Sequence, residues 1–93
     1  MQERIADELS KQVKKSLKAN PNQMFKVIIN LREDANLEEV IRTLSKSGLE
    51  VVSTIPGPVP IVAGSVAAKD ISQLAQESRV KKIEPDGKTF AVS

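Results

Sequence analysis

Two carboxylates stand one residue apart in Val80-Lys-Lys-Ile-Glu-Pro-Asp86, at the end of a run that reads as a short strand. The chemistry open to them is electrostatic. Carboxylates at such a corner complement a helix N-terminus, where unpaired N–H groups and roughly half a positive charge attract anions. The plain alternative is a solvated strand end followed by a turn, since Pro-Asp-Gly favours turns. Beyond it, Gly87-Lys-Thr-Phe-Ala-Val-Ser93 carries no signal for another helix or sheet partner. Residues 87–93 therefore read as an extended tail, either disordered or offered to a partner.

The rest of the chain supplies little chemistry. The 93 residues include no His and no Cys, which removes the usual general base, the commonest metal ligand and any reactive thiol. Ser10, Ser16, Ser45, Ser47 and Ser72 all have lysines nearby, but such pairs are abundant on any helix surface, so a Ser–Lys dyad is not the expectation. No glycine-rich phosphate loop and no cluster with metal-ligand spacing occurs. The expectation is a non-enzymatic protein without cofactor. A net charge of +2 is too small to argue for nucleic acid. No apolar run is long enough to span a membrane. The start, Met1-Gln-Glu-Arg-Ile-Ala-Asp-Glu, lacks the basic and apolar regions of a secretion signal, so the protein stays inside the cell or a signal lies outside this sequence.

The elements that position the acidic corner follow from periodicity. Residues 2–18 read as a helix, with Ile5, Leu9, Val13 and Leu17 in a narrow stripe and four lysines late in the segment. Asn20-Pro-Asn22 stops it. Met24–Leu31 is a strand with Phe25, Val27, Ile29 and Leu31 on an apolar face and Met24, Lys26, Ile28 and Asn30 on a mixed one. Asn36 caps a helix, with Glu39 in capping-box position; Leu37, Val40, Ile41 and Leu44 share its inner face, and Gly48 stops it. Strand 49–55, a proline-rich turn at 56–60 and strand 61–66 follow, the two strands antiparallel. Gly64, between Ala63 and Ser65, predicts a close approach to that strand. Helix 68–78 and strand 80–85 complete the order.

A helix followed by β-α-β-β-α-β is the split βαβ repeat of a ferredoxin-like two-layer sandwich, an α+β fold. The expected organisation is an amphipathic helix over 1–20, a domain over 24–86 and the tail 87–93. Two helices cover one sheet face; the other is bare unless the N-terminal helix or a partner covers it. Ferredoxin-like sheets that bind RNA stack bases on aromatics of the inner strands, and the only aromatics here are Phe25 and Phe90, which argues against that partner. The thin apolar stripe of the basic first helix, without an aromatic anchor, favours packing on its own domain or on a second copy over a membrane surface.

The run Val62-Ala-Gly-Ser-Val-Ala-Ala-Lys-Asp-Ile-Ser-Gln-Leu74, followed by Val80-Lys-Lys-Ile-Glu-Pro-Asp86, resembles the propeptides of subtilisin-type serine proteases and the free-standing inhibitors related to them. The resemblance covers residues 24–93 and carries the same sandwich fold. It implies binding to a subtilisin-like serine protease as inhibitor or folding chaperone. The open sheet face would dock on two surface helices of the enzyme, with Glu84 and Asp86 at their N-termini. The tail would lie in the substrate cleft as an added strand, with Thr89, Phe90, Ala91 and Val92 in the non-primed subsites. Ser93 is one residue longer than the pattern; in the register shifted by one, Phe90 enters the pocket four residues back and Ser93 faces the nucleophile. The family's large apolar terminal residue is replaced by Ala-Val-Ser, and Pro85 removes a backbone donor between the acids. The alternative is a ferredoxin-like interaction or dimerisation domain without a protease partner.

Overall fold

A computed structural model describes residues 5–86. The elements are α1 (Asp7–Ala19), β1 (Met24–Leu31), α2 (Leu37–Lys46), β2 (Glu50–Ile55), β3 (Ile61–Ala67), α3 (Ala68–Ala75) and β4 (Val80–Pro85). The four strands form one sheet in the order β2-β3-β1-β4, every neighbouring pair antiparallel. This is the ferredoxin-like two-layer sandwich, with helices packed on one sheet face.

Period-two burial in the inner strands separates the two faces. In β1, Val27, Ile29 and Leu31 are buried while Lys26 is exposed and Ile28 and Asn30 are half-buried. In β3, Val62, Gly64 and Val66 are buried between half-buried Ile61, Ala63 and Ser65. Val40 and Leu44 of α2 and Ile71 and Leu74 of α3 close the core against the first set. Phe25 and Leu37 are only partly buried at its margin.

The first helix is shorter than its stripe predicts. Ile5 precedes α1 and forms an isolated parallel bridge with Ile83, and the Ala6 N–H donates to the Ile83 carbonyl at 2.9 Å. That bond holds Ala6 extended (φ −56°, ψ 141°), so helical geometry begins only at Asp7. Ile5, Leu9 and Val13 enter the same core cluster as Ile71, Leu74 and Ile83, whereas Leu17 remains 46% exposed. α1 is thus a third member of the helical layer, packed against α3 and β4.

Local chemistry explains the ends of α2. The Glu39 N–H donates to Asn36 Oδ1 at 3.2 Å, the first half of a capping box. The reciprocal half is not made; the Glu39 carboxylate lies 3.5 Å from Arg79 instead. At the other end, Leu49 N–H bonds the Leu44 carbonyl and Gly48 N–H the Ser45 carbonyl, a Schellman pair that requires the positive φ of Gly48 (110°). Leu49 is consumed by this stop and buried, so β2 begins at Glu50.

α3 ends at Ala75, three residues before its predicted limit. The Glu77 carboxylate accepts from the Arg79 N–H at 3.1 Å and from Arg79 Nε at 2.8 Å, a local pairing that competes with continued helix. The hydrogen bond from the Arg79 side chain holds the Glu77 carboxyl below the ordinary carboxylate range. A depressed folded-state value stabilises the fold above the unfolded-state pKa, about 4.3 for glutamate, and the gain is lost as pH falls through the folded value. Glu77→Gln is therefore expected to reduce stability at neutral pH, with the deficit closing below about pH 4. Urea titrations of both proteins across that range check this; a deficit that persists unchanged in acid would contradict it.

Candidate functional site

The sheet face opposite the helices has no covering element among the described residues, because α1 lies with α2 and α3. Its centre is mainly apolar: Ile28 of β1 pairs with Ala63 of β3, and the polar Asn30 with Ile61, which pairs in turn with Ile55 of β2. Met24 and Ile55 are 49% and 58% exposed. A depression on this face is lined by Lys26, Val52, Ser53, Ala63, Gly64, Ser65 and Asp86.

The close approach predicted at Gly64 comes from within the chain. A Cβ there would collide with the Glu50 carbonyl oxygen and lie 3.2 Å from Leu49 Cδ1. The glycine lets β2 and the end of the α2 stop lie against β3.

The acidic pair sits at one corner of this face through the register of β4 on β1. Val80 pairs with Leu31, Lys82 with Asn30, Ile83 with Ile29 and Glu84 with Ile28. An irregularity at Asn30/Leu31 gives β4 one extra residue, so that Val80 and Ile83 both reach the core although they are three apart. Lys82 and Glu84 then share the open face. The ladder continues one step further, the Asp86 N–H donating to the Lys26 carbonyl at 3.0 Å. Asp86 follows Glu84 by two residues and borders the same depression.

The two acids differ in their surroundings. Glu84 Oε1 accepts from Asn30 Nδ2 at 3.4 Å, and Glu84 Oε2 lies 3.8 Å from Lys82 Nζ. Side-chain exposures of 44% for Glu84 and 50% for Lys82 make this a screened surface pair, of a kind that contributes about 0–1 kcal/mol. The corner is therefore partly, not fully, neutralised from within. Asp86 is half-buried and makes no ion pair among the described residues. Thr89, Phe90, Ala91, Val92 and Ser93 lie outside the described residues.

Asn30, Lys82 and Lys26 were not singled out from the sequence. Lys82 could have been, since it stands two residues before Glu84 on a strand. Asn30 could not, because its partner is 54 residues away and only the register brings them together.

Phe25, the only aromatic among the described residues, belongs to the core side of β1 and packs against the core cluster. The open face thus presents no base-stacking platform among those residues. Nor do they contain a group of three or more acidic side chains able to hold a metal ion, or a helix long and apolar enough to cross a membrane. Comparison with protein-family models, with curated proteins and with solved structures gave no match.

Proposed function

We propose that this chain binds a subtilisin-like serine protease, as an inhibitor or as a folding chaperone of propeptide type, and is not itself an enzyme. One observation carries the reading: Glu84 and Asp86 stand on the uncovered sheet face, at the corner where β4 passes into residues 87–93. Three requirements of such docking meet there. The apolar centre of the face supplies surface to bury against helices of the enzyme. The carboxylates supply charge for helix N-termini. Residues 87–93 follow Asp86 in the chain, and on this reading they bind the substrate cleft as an added strand, held by backbone hydrogen bonds. The chain performs no bond chemistry in this role; it occupies the cleft and excludes substrate.

The test is a titration of the chain against a subtilisin-type protease acting on a small peptide substrate. Saturable loss of activity is expected, strongly weakened when residues 87–93 are deleted. Full protease activity in a large excess of the chain would remove the reading for that enzyme.

A second reading, pairing with another copy of the chain, is favoured by the state of the two sheet edges. The outer edge of β4 takes the Ala6 N–H, whereas β2 has no outer partner among the described residues. Val52, at the irregularity of β2 between Val51 and Ser53, is 72% exposed and borders the open-face depression, and β2 contains no lysine of the kind that blunts exposed edges. On this reading light scattering gives twice the 10.1 kDa chain mass, and Val52→Lys restores the single mass. Wild-type protein that keeps the single mass at the highest soluble concentration would exclude it.

A further inference from the structure

We propose that Asn30 and Lys82 are positioning residues for Glu84, and that Lys82 also sets the strength of docking by competing for its carboxylate. The proposal rests on the protease-binding reading and deepens it.

The two oxygens of Glu84 have separate partners on two strands. Asn30 Nδ2, from β1, reaches Oε1 at 3.4 Å, and Lys82 Nζ, from β4 itself, reaches Oε2 at 3.8 Å. Both partners stand on the open face by register, Asn30 directly opposite Lys82 and one step diagonal to Glu84. A glutamate side chain left free on a strand samples many rotamers, and fixing it on binding costs free energy. Held between an amide and an ammonium, it is offered in one orientation before a partner arrives, which lowers that cost.

The two partners act in opposite directions once an enzyme helix approaches. Asn30 is neutral; it can keep Oε1 oriented while Oε2 accepts from backbone N–H groups of the helix. Lys82 is a cation paired to Oε2, so it must give up that oxygen before the helix N–H groups can take it. Asp86 makes no ion pair among the described residues, although Lys26 stands opposite it and borders the same depression. The corner therefore combines one carboxylate paired from within and one without an ion pair among the described residues.

The magnitudes are those of exposed groups. Lys82→Met is expected to lower the inhibition constant about threefold, the effect of removing a weak competing surface pair. Asn30→Ala is expected to raise it about threefold through lost orientation. Both changes should vanish in a Glu84→Ala background, the signature of action through that carboxylate. The Lys82 effect should also vanish at high salt. Equal effects of Lys82→Met with and without Glu84 would overturn the proposal, as would tighter binding on Asn30→Ala.

A measurement on the free chain judges the clamp without any protease. Glu84→Ala should shift the side-chain amide resonances of Asn30 and leave those of Asn36, the α2 cap, unmoved. An unresponsive Asn30 amide overturns the clamp. A responsive Asn30 in a chain that inhibits no subtilisin instead overturns the protease reading and leaves the clamp standing, so the two failures are distinguishable.

Discussion

Replacing Glu84 and Asp86 together by alanine is expected to raise the inhibition constant against a subtilisin-type protease about a hundredfold. Each carboxylate that meets a helix N-terminus gains from charge–dipole attraction and from hydrogen bonds to unpaired N–H groups. A hydrogen bond to a charged group contributes about 1.5–3 kcal/mol, and two such groups reach the stated factor even at the low end. The domain should remain folded. Glu84 is 44% exposed, its partners are Asn30 and Lys82 on the surface, and neither acid belongs to the core. Surface substitutions of this kind usually change stability by less than about 0.5 kcal/mol. Circular dichroism and thermal melts, run beside the inhibition assay, separate lost docking from lost fold. Undiminished inhibition by the double variant would show that the corner takes no part.

Gly64→Val is expected to give the largest loss of stability, about 3 kcal/mol, with the melting temperature falling by roughly 15 °C for a domain of this size. The reason is steric and local to the backbone. The added Cβ falls on the Glu50 carbonyl oxygen, 3.1 Å from its carbon, with Leu49 Cδ1 at 3.2 Å. A flexible side chain could move aside, but a carbonyl within a strand pair cannot without separating β2 from β3. The comparison is Ala63→Val, one residue earlier on the open face, where no helix packs; a change within about 0.5 kcal/mol is expected there. Equal melting temperatures for the wild type and Gly64→Val would contradict the account of this strand pair.

Gly64 also marks a limit of what the chain's letters disclose. A glycine flanked by alanine and serine in an apolar strand predicts close approach, and that is what occurs. Whether the approaching group is the protein's own backbone or a partner's surface depends on which strand lies beside β3, a non-local fact. The β1, α2 and β4 assignments were legible because their signals are local: alternation in 24–31, the Asn36 cap with its Gly48 stop, and the Val80–Pro85 run. The ferredoxin-like order followed from these. The departures share one cause, a distant or competing hydrogen-bond partner. Ile83 draws Ile5 and Ala6 out of the helix they would otherwise start, and the Glu77–Arg79 pair turns the chain before α3 reaches its predicted end.

The site divides the same way. Glu84 and Asp86 stood out as paired acids at a strand end. Their common face follows from their two-residue spacing, and the irregularity opposite Asn30/Leu31 is what lets Val80 point inward together with Ile83. The neighbours that temper Glu84 come from that register, and the uncovered face exists because α1 joined the helical layer. Lys82 beside Glu84 could be read from spacing within one segment; Asn30, the irregularity and the bare face could not.

The most direct measurement is a map of the chain's amide resonances on addition of a subtilisin whose nucleophilic serine has been replaced, so that nothing is cleaved. The account predicts shifts concentrated on Lys26, Ile28, Ala63, Ser65, Glu84 and Asp86, with the outer faces of α2 and α3 unchanged. Shifts centred on those helices, or none with the enzyme in excess, would contradict it.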